Sequence, residues 1–175
     1  MSEGGLALRL VNLAHLFVGR ICGGLAMVNS VACMFFGNIS GSAVADVSSV
    51  GSVMIPMMKK RGYDADFAVG VTISSAIQGV VVPPSHNLVL YSLAAGGISI
   101  ASLFMAGVIP GLILLVSLLL TGYLIARKRG YEKGHPVPRS EVPGILLHGF
   151  LSLTPAVIIA ALSRGGLTAT ESAAI

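Results

Sequence analysis

Charge is what this sequence has least of. Only 10% of its 175 residues are Asp, Glu, Lys or Arg, against about 25% in an ordinary soluble domain. Three stretches, residues 21–58, 67–126 and 142–163, hold a single charge, Asp46. A membrane span needs about 20 apolar residues, and no soluble core produces the 60-residue uncharged run from Phe67 to Ala126. The chain reads as an all-α polytopic membrane protein.

Other scarcities narrow the function. Cysteine occurs twice, at Cys22 and Cys33, too isolated for a zinc site and too few for a disulfide framework. No glycine-rich loop ends in Gly-Lys-Ser/Thr, so no ATP-hydrolysing motor is encoded. One membrane carboxylate is one short of an intramembrane aspartyl protease. Adjacent Ser85 and His86 diverge on a helix and make no catalytic dyad. The opening residues hold Glu3 and Arg9 without the compact apolar core of a signal peptide. The sequence is basic, with a pI near 9.4, but its Lys and Arg sit in short loops, where they signal topology rather than nucleic-acid binding.

What is present divides into segments. Residues 1–20 carry Leu6, Leu10, Leu13 and Phe17 at helical spacing and read as an amphipathic helix at the membrane surface or against the bundle. Residues 21–58 read as a helical hairpin: two apolar arms meet at a polar tip, Asn38 to Ser42, with Asp46 one turn on. Such a hairpin spans twice or dips in and returns. Residues 59–66 form a basic loop, and 67–95 a transmembrane helix broken at Val82-Pro83-Pro84-Ser85. Residues 99–126 form a further span, 127–143 a second basic loop, and 144–163 a last span. The scattered His15, His135 and His148 read as surface or interfacial. The stretch 164–175 starts a capped helix at Thr168 and Glu171 and stops, so the chain is expected to be a piece of a longer protein. Arg9, Arg20, residues 59–61 and 127–133 all fall on one face of this topology, the cytoplasmic one.

Two places carry chemistry. Prolines at 83 and 84 leave the carbonyls of Gly79 and Val80 without helical partners, and in hydrocarbon such groups persist only beside protein or a polar cavity. Exposed carbonyls are hard ligands for a cation such as Na⁺. The half-helix that follows, opening at Ser85, His86 and Asn87, offers N–H groups and a positive dipole end to an anion. The bland alternative is a proline kink. At the hairpin tip, Ser40, Gly41 and Ser42 expose carbonyls, hydroxyls and amides together. Asp46, costing about 2.5–3.5 kcal/mol near the bilayer centre, balances a cation, caps the second arm or pairs with a distant arginine.

The runs Gly37 to Asp46, Gly51-Ser52, Ile55 to Asp64, Val82 to Ser85 and Leu103 to Gly111 resemble the large membrane (M, DctM-like) subunit of tripartite ATP-independent periplasmic transporters. Thr168 to Ala174 resembles that family's Thr-Pro-Thr-Glu-Ala-Ala stretch, with Ala169 in place of proline. The resemblance implies a sodium-driven elevator transporter of the bacterial inner membrane with two inverted repeats, each with a re-entrant hairpin and a broken helix. It implies two protein partners, a small membrane (Q) subunit and a periplasmic substrate-binding protein, and an organic acid anion as substrate. By that likeness residues 21–58 are the first hairpin and 67–95 the first broken helix. Na⁺ is expected on backbone and hydroxyl oxygens of Ser40, Gly41, Ser42, Gly79, Val80 and Val82. Substrate is expected near Asn38, Ser42, Ser85, His86 and Asn87, with Asp46, Pro83 and Pro84 in structural or coupling roles. The N-terminal scaffold helices and second repeat of the family are expected to lie outside this chain. The rivals are an ion-coupled anion transporter of related architecture working without a binding protein, and a membrane enzyme or structural subunit.

Overall fold

The computed structural model describes residues 5–132, 134, 142–149 and 151–152. The expected start of a further helix at 164–175 lies outside these residues, as does most of the last span. Among the described residues all regular structure is helical: α1 (Leu6–Val18), α2 (Gly24–Ser40), α3 (Ala43–Lys60), α4 (Ala65–Val81), α5 (His86–Ala94) and α6 (Ile100–Lys128). Residues 142–149 and 151–152 are helical as well.

The hairpin is tighter than its sequence suggests. Asn38, Ile39 and Ser40 belong to the last turn of α2, and only Gly41 and Ser42 separate the arms. Gly41 takes a left-handed φ of 61° and its N–H reaches back to the Gly37 carbonyl at 2.8 Å, the αL ending that glycine adopts without a Cβ penalty. Ser42 then caps α3, its hydroxyl accepting from Ala45 N at 3.4 Å. The capping role considered for Asp46 therefore falls to Ser42.

The core forms where α1 and α2 meet α3 and α4. Leu10, Val28, Cys33, Phe36, Met54 and Met58 are fully buried there. Of the apolar stripe of α1, Leu10 and Leu13 are buried against the other helices, while Phe17 is 64% exposed. Between α2 and α4 the contact is polar. Asn29 Nδ2 donates to Thr72 Oγ1 at 2.6 Å, and the Ser30 and Ser75 hydroxyls meet at 2.9 Å. Helix α6 contrasts with all of this. Met105, Ile109, Leu112, Ile113, Val116 and Leu120 are exposed along it, and it is long and apolar enough to cross a membrane.

Candidate functional site: the hairpin tip and the helix break

Helix α4 ends because the chain runs out of donors. Its last bond is Val82 N to Gln78 O at 3.1 Å. The next two N–H groups in register would come from Pro83 and Pro84, which have none. The chain resumes as α5 at His86, and the two helices are bent by 49°; the Pro83–Pro84 peptide is cis. Small residues on α6 seat this break. A Cβ at Gly107 would lie 3.1 Å from the Val81 carbonyl and 3.2 Å from Pro83 Cγ, and one at Gly111 only 2.6 Å from Val82 Cγ2. A bulkier surface at these positions would push the break away from α6.

The hairpin tip meets the break from the other side. Gly37 on α2 crosses Gly79 on α4 so closely that a Cβ on Gly79 would fall 2.7 Å from Gly37 Cα. That crossing brings four expected site residues, Ser40, Gly41, Asp46 and Gly79, into one region. Asp46 is fully buried. Its Oδ1 accepts from the Ser40 hydroxyl at 2.5 Å, while Oδ2 has no hydrogen-bond partner among the described residues. This free oxygen points at the glycine crossing, 2.7 Å from where a Cβ of either Gly37 or Gly79 would stand. Gln78, 1% exposed, likewise has neither amide atom satisfied. Orphaned polar atoms of this kind are costly in a buried site, so they mark a place built for something other than packing.

Three side chains that were expected to face substrate hold backbone carbonyls. With its amide turned to satisfy its neighbours, Asn38 donates to Met34 O at 3.1 Å and Val82 O at 3.0 Å. The buried Ser85 hydroxyl donates to Val80 O, so that carbonyl has a partner, though not a helical one. Asn87 Nδ2 donates to Gly41 O at 3.2 Å, tying α5 to the hairpin tip. His86 is exposed, with its Cβ against Gly41, and Ser42 is exposed beside the tip.

The groups gathered here form a set of hard oxygen ligands. It comprises a carboxylate with one free oxygen, serine hydroxyls, and carbonyls that keep a second lone pair after accepting one hydrogen bond. Among the described residues the nearby thiol, Cys33, is buried and donates instead to Asn29 Oδ1 at 3.6 Å. Among the described residues no group of three His, Cys, Asp or Glu forms a metal cluster.

Sequence reasoning missed Asn29, Ser30, Thr72, Ser75 and Gln78. Their signal was legible in hindsight: Thr72, Ser75 and Gln78 recur every three residues along α4, which places polar groups along one side.

At the loop end of the hairpin the chemistry is ordinary. Asp64 accepts from the Tyr131 hydroxyl at 2.7 Å and from Arg129 Nη1 at 2.5 Å. These two donors, the tyrosine first, hold the Asp64 carboxyl below the ordinary carboxylate range. Tyr131 also lies 4.3 Å from Tyr63, ring centre to ring centre, and Arg129 stands 5.6 Å over the Phe67 ring.

An apolar helix long enough to cross a membrane, beside a polar centre at a helix break, fits an all-helical membrane protein. A family model described as the tripartite ATP-independent periplasmic transporter, DctM component, matches residues 1–175, and the chain belongs to that family. Relatives agree. The chain is 42% identical to the sialic acid TRAP transporter large permease protein SiaM of Vibrio cholerae, covering all of this chain and 41% of SiaM. It is 39% identical to the C4-dicarboxylate TRAP transporter large permease protein DctM of the same organism, covering 39% of that protein. It is 36% identical to the isethionate TRAP transporter permease protein DctMQ of Oleidesulfovibrio alaskensis, covering 28% of it. The chain thus spans well under half the length of these curated relatives, which are transporter components rather than enzymes.

Proposed function

We propose that this chain supplies half of the ion and substrate site of a Na⁺-coupled, binding-protein-dependent permease that imports a small organic acid anion across the bacterial inner membrane. The observation that carries the proposal is the fully buried Asp46 with one orphaned oxygen, held where the hairpin tip meets the broken end of α4. A carboxylate there is costly unless a cation balances it. Ser40, Gly41, Ser42, Gly79, Val80 and Val82 would hold that cation through hydroxyl and carbonyl oxygens. Its chemistry when bound is to neutralise Asp46 and attract an anion.

The chain's own residues do the rest. Asn87 ties the first turn of α5 to the tip through Gly41 O, so a change at one is felt at the other. Ser85, His86 and Asn87 stand at the N-terminus of α5, where free N–H groups favour a carboxylate. The arms of the hairpin support a dip into the membrane rather than two crossings: 17 residues of α2 rise only about 26 Å, against a hydrocarbon core of about 30 Å. The Gly37–Gly79 crossing and the Asn29–Thr72 and Ser30–Ser75 bonds couple the hairpin to α4, as an elevator that moves both as one body requires.

The substrates for which these relatives are named, sialic acid, C4-dicarboxylates and isethionate, are all organic acids, which supports an anionic solute. A small membrane subunit and a periplasmic binding protein complete the proposed assembly. The test is uptake by the full-length parent protein in proteoliposomes, with both partners, under an imposed Na⁺ gradient. Labelled sialic acid, C4-dicarboxylates and other small carboxylates form the panel. Uptake requiring Na⁺ and the binding protein is the expected result. Uptake needing neither would overturn the reading in favour of a permease that works alone.

A further inference from the structure

A cavity with mostly apolar walls and three polar side chains lies far from the tip in sequence, between α1 and the 142–149 helix. It has a volume of about 350 Å³ and is lined by Arg9, Asn12, Gly144, Ile145 and His148. We propose that this cavity binds a phosphate group, supplied by the headgroup of an anionic phospholipid in the cytoplasmic leaflet.

The shape follows from one close contact. Gly149 meets Leu13, where a Cβ would fall 2.9 Å from Leu13 Cδ1, so the two helices touch there. Arg9 lies one turn before Leu13, and Ile145 one turn before Gly149. A wedge opens between them, and Gly144 leaves it unfilled, since a Cβ there would meet nothing within 4 Å.

The chemistry is one-sided. Arg9 offers a forked set of N–H donors, Asn12 an amide and His148 a ring N–H, a combination that matches phosphate oxygens. Among the described residues no carboxylate lines the cavity, and none hydrogen-bonds to the side chains of these three. The surroundings select the source. Leu8, Leu147 and Leu151 are 46%, 62% and 58% exposed on the same two helices, apolar surface of the kind that acyl chains cover. Depth agrees. In the proposed topology, on which this inference rests, Gly144 opens a span after the cytoplasmic basic loop. At 1.5 Å per residue, His148 then lies about 6 Å below it, near headgroup level. Basic pockets between helices on the cytoplasmic side are where anionic headgroups bind.

The test uses the purified full-length parent complex in detergent, titrated with phosphatidylglycerol, with diacylglycerol, and with inorganic phosphate, while its thermal stability is followed. Phosphatidylglycerol should raise the unfolding temperature and diacylglycerol should not. In Arg9→Gln with His148→Gln, the titration midpoint should move about tenfold higher. Gly144→Phe, which fills the cavity and leaves every charge in place, should do the same. No stabilisation by phosphatidylglycerol, or equal midpoints in all three proteins, would overturn the site. Protection by inorganic phosphate alone would overturn the lipid source. Na⁺-driven uptake is followed in parallel, so that loss of transport with lipid binding intact is recognised as a failure of the transport reading only.

Discussion

Two aspartates stand near opposite ends of helix α3, and their surroundings differ in every respect. Asp46 is fully buried, bonded through one oxygen to Ser40, and left with the other oxygen free at a glycine crossing. Asp64 is 61% exposed and paired with Arg129 and Tyr131. The exposed one is the better satisfied. In water a carboxylate loses little by being unpaired, so an exposed pair adds little stability. A buried one loses much, and an incompletely paired buried carboxylate is what the proposed cation site rests on. The difference separates a structural clasp from the proposed site.

The contrast breaks most visibly at the glycine crossing. Gly79→Ala puts a methyl 2.7 Å from both Gly37 Cα and Asp46 Oδ2, closer than real Cβ atoms come, so the helix crossing must shift. A loss of about 1–3 kcal/mol of stability is expected from such overpacking, with Na⁺-coupled uptake abolished; thermal unfolding and uptake assays of the full-length parent check both. Next in size is Asp46→Asn, which keeps the shape and an acceptor for Ser40 but removes the charge. Apparent Na⁺ affinity should fall about tenfold with little change in stability, measured from the Na⁺ dependence of uptake. An unchanged Na⁺ dependence would reduce Asp46 to a packing residue.

Smaller still is Thr72→Val, which keeps the volume at the α2–α4 seam and leaves Asn29 Nδ2 without its acceptor. About 0.6–2 kcal/mol is the range for interhelical hydrogen bonds of this kind in membranes, and transport should persist if the seam serves only to bind the two helices together. Asp64→Asn should have the least effect at neutral pH. Its signature is in the pH profile. Because its folded-state pKa is lowered, its contribution is present above the ordinary carboxylate value and lost as pH falls through the lowered one. Unfolding curves of wild type and Asp64→Asn should therefore converge in acid and differ, slightly, above it. A gap that widens on acidification would contradict the clasp.

Much of this was legible in the sequence because membranes make exceptions conspicuous. Uncharged runs marked the apolar segments, Asp46 stood out as the one charge within them, and Pro83-Pro84 announced where α4 must stop. The boundaries of the hairpin tip were less legible. Asn38 to Ser40 look like turn residues, yet they complete α2, because Gly41 alone supplies the left-handed turn. The roles of Asn38, Ser85 and Asn87 were hidden for a different reason. Their residue types suit a solute, and only the three-dimensional arrangement shows them on Val82, Val80 and Gly41 carbonyls. The seating of the break on Gly107 and Gly111 and the polar seam between α2 and α4 are contacts between distant segments, which spacing along one helix does not reveal.

The claim at the centre is that the hairpin tip and the broken end of α4 form a Na⁺ site. Equilibrium binding of ²²Na⁺ to the purified full-length parent tests it directly, in wild type and in Pro83→Ala with Pro84→Ala, a change that restores the two missing N–H groups. Saturable binding in the wild type, greatly weakened in the double variant, is the predicted result. Equal Na⁺ affinity in the two proteins would contradict the assignment.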